Sequence, residues 1–130
     1  VYLPVYVDGA LFSLGDAHAA QGMGEICGTA LETAVRVVYE LNVIKGKTPI
    51  SEPHYETDEF YAVGAHATTL AEAVKKVSGY MIEYLVTEHG LSRKDAYMLC
   101  SIAGNLNITE VVDMPHVWVA MHMPKEVLGI

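Results

Sequence analysis

The sequence predicts an α+β domain, predominantly β, with β-sandwich-like sheets and a helical hairpin packed on one side. Two observations carry this. The first half is rich in β-branched and aromatic residues punctuated by turn dipeptides, the composition of strands. Near Thr69 the apolar period changes from two to 3.6, and after Gly104 it returns to two. With 130 residues and 52% hydrophobic content, the chain is long and apolar enough for one domain, residues 1–130, with its own core.

Taken in order, Val1 to Val7 reads as a strand, Asp8-Gly9 as a hairpin turn, and Ala10 to Leu14 as the strand that pairs back. Ala17 to Gly24 is too rich in Gly and Ala for a strand. The β pattern resumes from Ile26 to Thr33 and from Ala34 to Ile44, where Val35, Val37, Val38, Tyr39, Leu41, Val43 and Ile44 have strand propensity and Arg36, Glu40 and Asn42 form a solvated face. Lys45-Gly46-Lys47 with Thr48-Pro49 breaks the run. His54 to Asp58 and Glu59 to Gly64 are short strands, the first polar enough for an exposed edge. Thr69 and Glu72 make a capping box for a helix whose inward face is Leu70, Val74, Val77, Met81 and Leu85, and Gly90 stops it. Ser92 and Asp95 open a second helix that turns Ala96, Leu99, Cys100 and Ala103 inward until Gly104. Ile108 to Asp113 and His116 to Met123 are closing strands, separated at Pro115.

The formal charge is −8, from 16 acidic and 8 basic residues, without a basic patch. Nucleic acid and anionic membrane are therefore not expected partners. Cys27 and Cys100 are far apart in apolar contexts that read as buried, so they are expected to be free thiols of a reducing compartment. No stretch suits a membrane span or a charged-then-apolar leader, and the expected location is cytoplasmic.

The densest chemistry lies between Gly15 and Gly28, in GDAHAAQGMGEICG. This stretch sets an Asp, a His, a Gln and a Glu among glycines and alanines, small residues that let backbone approach a ligand closely. Asp16 and His18 are two apart, and on an extended backbone they face the same side. A carboxylate beside an imidazole can orient the ring, or the two can hold one metal ion; equally, Asp16 can form an Asx turn and His18 a hydrogen-bonded core group. Glu25 stands between small residues, as a general base, as a metal ligand or as a charge at a pocket rim. Glu32 is a weaker candidate of the same kind. Gln21 can hold an amide through its own donor and acceptor, or tie down the loop.

GDAHAAQGMGEICGTALE, from Gly15 to Glu32, resembles the signature region of the acetamidase/formamidase family. The similarity continues through LSRKDAYMLCS, Leu91 to Ser101, to the strand ending at Pro124 and Lys125. One departure is visible, Met23, where an acidic residue is expected between the glycines of the QG-x-GE element. The resemblance implies hydrolysis of a short aliphatic amide, formamide or acetamide, to a carboxylate and ammonia. It also implies that the chain, which starts at Val1 in mid-strand, is the C-terminal portion of a longer protein whose N-terminal part completes the active site.

The expected chemistry is attack by water. A divalent metal held by Asp16 and His18, completed by the N-terminal part, would polarise the carbonyl while Glu25 carries the proton. Zinc suits His with carboxylate better than calcium, which wants an all-oxygen cage. Cys27 has no Lys near it in sequence and is read as structural rather than as a nucleophile. His54, His89 and His122 are read as solvated or structural, and His66 and His116 as caps on backbone groups. The competing class is a non-catalytic β-rich domain supporting a homo-oligomer, with the Gly-rich segment as a packed interface.

Overall fold

The computed structural model describes residues 1–47 and 49–130; Thr48, part of the expected strand break, lies outside them. Four strands and two long helices form an α+β body. In chain order these are β1 (His54–Glu56), β2 (Phe60–Ala67), α1 (Leu70–His89), α2 (Arg93–Ala103), β3 (Asn105–Glu110), β4 (Val117–Pro124) and a final turn of helix, α3 (Lys125–Leu128). The strands make one antiparallel sheet in the order β1-β2-β4-β3. β2 and β4 are its centre, paired from Phe60 with Pro124 to Ala67 with Val117.

The helices begin and end where their capping residues dictate. Thr69 accepts a hydrogen bond from the Glu72 backbone N–H, and Gly90 takes the left-handed conformation (φ 68°) that closes α1 by bonding back to Val86. Ser92 accepts from Asp95 N–H to open α2, and the three residues 90–92 make the corner of the expected hairpin. α1 buries Ala73, Val77, Met81 and Leu85, a row at i, i+4, i+8, i+12 laid against Val63, Ala65, Val119, Met121 and Met123 of the sheet. Ala96 and Cys100 of α2 join this core, with Leu99 and Ala103 packed against it. Leu70, expected on the inward face, is exposed, and Val74 is half-buried. The buried stripe runs through Ala73 instead, and these two lie off its axis.

The sheet also differs in bounds from the periodicity. β3 starts at Asn105 rather than Ile108, with an irregularity between Ile108 and Glu110, and α3 follows a strand expected to be the last element. Gly64 in β2 is required by space: a Cβ there would lie 3.2 Å from the Pro53 carbonyl oxygen, against the Trp118 ring. Pro53 accepts the Gly64 N–H, so the chain just before β1 is held against β2.

Among the described residues of the first fifty there is no ladder, although four strands are expected there. Tyr2 makes a single bridge to His54, and Asp8-Gly9 does turn, but Ala10 and Leu11 take positive φ (58° and 52°), which no strand can continue. Residues 34–44 form no strand and are exposed; Val38 is 92% accessible. A strand is stable only when a neighbour satisfies its N–H and C=O groups, and no described residue pairs with this segment. β propensity is therefore present without a partner, and the sheet that would have made a second layer is absent among the described residues. Cys27, expected to be buried, is exposed; Cys100 is buried, and burial raises its thiol pKa.

Two histidines couple this core to pH. His54 is buried and bonded through Nδ1 to the Tyr61 hydroxyl (2.9 Å), and His122 shares a 2.7 Å hydrogen bond with Tyr55. Desolvation holds both below the ordinary imidazole value. A depressed native pKa means that the neutral ring's contribution is complete above the unfolded value and is lost as pH falls through the native one. The midpoint of thermal unfolding is thus expected to fall between pH 7 and pH 5, and to fall less when His54 is replaced by Gln. His18, whose pKa is raised, works in the opposite direction, but its carboxylate partners are exposed and solvent screening keeps the effect small.

Candidate metal centre

The polar cluster is built by a short antiparallel contact rather than by a regular strand. Ala19 N–H bonds to Leu31 O (2.8 Å), Leu31 N–H to Ala20 O (2.9 Å) and Thr33 N–H to Ala17 O (3.0 Å), so His18 and Glu32 are cross-strand partners with 21–30 as the loop between them. Paired positions place their side chains on one face. Asp16 arrives differently. Its φ of 55° bends the backbone in the left-handed region, which Asp tolerates, and its carboxylate still reaches the ring of His18. The two-residue spacing thus brings Asp16 and His18 together through a bend, not through the extended backbone assumed from the sequence.

His18 Nε2 lies 3.3 Å from Asp16 Oδ1 and 3.1 Å from Glu32 Oε2, and its Nδ1 lies 2.6 Å from Gln21 Oε1. Gln21 Oε1 is an acceptor, so Nδ1 carries the proton that it takes. That bond raises the pKa of His18 most, and the Glu32 and Asp16 carboxylates raise it further while desolvation opposes them. The carboxylates stay in contact with water, with side-chain exposures of 84% for Asp16 and 52% for Glu32, against 18% for His18.

Among the described residues, one ligand atom each from Asp16, His18 and Glu32 falls within 4.8 Å of the others. Two carboxylate oxygens and one imidazole nitrogen are a donor set suited to zinc and to other divalent first-row cations. Anchoring of Nδ1 fits as well, because a ligating His presents its second nitrogen when the first is held by an acceptor. The residues present therefore fit a divalent cation.

Gln21, a candidate amide holder, is engaged with His18 in this structure. Glu25 lies outside the cluster, in a turn where its own φ is 45° and where its N–H bonds to Gly22 O (3.1 Å). The adjoining Gly24 is buried with φ 90° and docks on the edge of β3, its N–H on Thr109 O (3.2 Å) and its carbonyl accepting from Val111 N–H (3.1 Å). The loop is thereby tied to the α+β body. Glu32, the weaker candidate of the two glutamates in sequence, is the one that lies beside His18. The pairing of 17–20 with 31–33 across a Gly-rich loop was the signal for it, hidden because neither half reads as a strand.

The sequence profile of the acetamidase/formamidase family matches residues 1–129. An acetamidase from Bacillus halodurans, known from a crystal structure, is 37% identical with a TM-score of 0.87; the match covers 98% of this chain and 44% of that one. A crystal structure from Thermoanaerobacter tengcongensis, described as a predicted acetamidase/formamidase, is 37% identical with a TM-score of 0.89, over 96% of this chain and 41% of that one. A formamidase of Methylophilus methylotrophus is 29% identical over 98% of this chain and 36% of its own length. The chain thus spans little more than a third of that curated relative. Matched by the family profile over nearly its whole length, and similar throughout to solved members, the chain belongs to the acetamidase/formamidase family.

Proposed function

We propose that this chain is the C-terminal part of a hydrolase that cleaves formamide, acetamide or a similarly short amide to a carboxylate and ammonia. The convergence of Asp16, Glu32 and Gln21 on His18 supports this reading most, together with membership of the family. Asp16, His18 and Glu32 would hold a divalent cation, with zinc the best match to the mixed donors. Such a cation, when bound, polarises the amide carbonyl and lowers the pKa of water. Gln21 keeps the His18 proton on Nδ1 and so keeps Nε2 directed between the two carboxylates. Glu25, on the loop between His18 and Glu32 but outside their cluster, is free to carry a proton from the attacking water to the departing ammonia.

Three protein ligands with wide solvent exposure make an open site, and further groups are proposed to come from the remainder of a longer protein. That remainder would also cover the apolar residues exposed along 1–47. A soluble, cytoplasmic homo-oligomer is the proposed setting. Residues 1–130 supplied with zinc are expected to bind it weakly and to release little or no ammonia from formamide. Fast hydrolysis by this chain alone would overturn the half-site reading.

The same exposed apolar residues favour a second reading, a non-catalytic domain that supports assembly. Asp16→Asn, His18→Ala and Glu25→Gln in the full-length protein separate the two. Ammonia release lost in each folded variant supports hydrolysis, whereas release preserved in all three supports assembly.

A further inference from the structure

A second polar assembly lies at the start of α1, away from the Gly-rich loop, and the sequence held no sign of it. Glu52 is 8% exposed, next to Pro53, whose carbonyl accepts the Gly64 N–H of β2. One of its carboxylate oxygens accepts from His66 Nδ1 (3.0 Å), and the other lies 3.9 Å from Lys76 Nζ. Lys76 also donates to the His66 carbonyl (3.0 Å). A buried carboxylate is tolerated only with such partners, and here it has both.

The consequence falls on the ring. With Nδ1 committed to Glu52, the proton sits there, and Nε2 is the nitrogen left for a ligand. The ring packs beside Trp118 (centroids 5.1 Å apart) and His116 (5.3 Å, edge to face). His66 and His116 were expected to cap backbone groups; instead both line an open cleft, with Thr68, Glu72, Lys75 and Lys76. Glu72 accepts from the hydroxyls of Thr68 and Thr69 on one oxygen, Oε2 (3.1 and 3.0 Å), which turns that oxygen toward the helix start. Lys75 has no ion-pair partner among the described residues.

We propose that this cleft binds a small oxyanion, held by Lys75, His116 and the Nε2 side of His66, with Glu52 as the buried group that fixes the His66 ring. Two ammonium groups and two imidazoles outnumber the one carboxylate of the lining, Glu72, and among the described residues no three potential metal ligands converge here. The ammonium groups and imidazoles suit a carboxylate or a phosphate, which accepts several charge-assisted hydrogen bonds at once. The site is distinct from the Asp16–His18–Glu32 cluster and does not depend on the amidase reading.

Acetate and inorganic phosphate are titrated separately into the isotope-labelled chain at pH 6 and constant ionic strength, with chloride as control, and the histidine ring signals are followed. Saturable shifts at His66 and His116 are expected with at least one of the two anions. Stronger binding of acetate marks a carboxylate site, and stronger binding of phosphate a phosphate site. The exposed double variant Lys75→Ala/His116→Ala should keep the thermal midpoint and weaken binding by about tenfold or more. Ring nitrogen shifts of the free protein, recorded above pH 7, should place the His66 proton on Nδ1. Shifts that chloride reproduces, a failure to saturate, unchanged affinity in the double variant, or a proton on Nε2 would each overturn the proposal.

Discussion

Replacing His18 with Ala is expected to weaken zinc binding by more than about 100-fold, because loss of a supporting residue behind a ligand already costs about 10–100-fold and His18 is the ligand proposed at the centre of the cluster. Its Nε2 is the atom that both carboxylates approach, at 3.3 and 3.1 Å. Without the ring, Asp16 and Glu32 are two like charges with nothing between them. Glu32→Gln keeps the shape and removes a charge, and a loss of about tenfold or more is expected. Gln21→Ala leaves all three ligands and frees Nδ1, so its cost should fall within the 10–100-fold range of supporting groups. Competition with a zinc chelator measures all three, in the full-length protein, with thermal unfolding as the control for folding. Zinc affinity unchanged by His18→Ala would remove the cation from this cluster.

Leu85→Ala is expected to destabilise the folded state by about 2–5 kcal/mol, a large part of the roughly 5–15 kcal/mol that holds a domain together. Leu85 is fully buried on α1, within the core cluster of helix and sheet residues. Truncation removes apolar burial and leaves a cavity that a close-packed core fills only in part. Leu70→Ala provides the contrast: the residue is 41% exposed at the first turn, and a change within about 0.5 kcal/mol is expected. Urea titration followed by helical circular dichroism compares the pair. Equal effects at the two positions would mean that the inward face of α1 has been misassigned.

The helical hairpin was legible in the sequence because its information is local. Thr69, Gly90, Ser92 and Gly104 lie at the ends they mark, and a 3.6-residue stripe needs no distant partner to declare itself. The central strands were legible to within a few residues for the same reason. The first half was not, because propensity states what a segment can do and pairing decides whether it does. Ala34 to Ile44 has the side chains of a strand and no backbone pairing partner among the described residues. At the candidate site, Asp16 and His18 were found by type and spacing, although a bent backbone unites them. Glu32 depended on a contact across thirteen intervening positions, and the buried Glu52 on a fold that holds the chain before β1 against β2. Neither distance is encoded in a short motif.

The docking of Gly24 on the edge of β3 has a mechanical consequence. Two backbone hydrogen bonds at a single left-handed glycine moor the loop to the rigid half of the molecule. A Cβ at that position would press to 3.3 Å on the Ile26 side chain in a conformation that L-residues resist. A side chain at position 24 would therefore strain the mooring that sets the bearing of Glu25, whereas Met23 beside it is exposed.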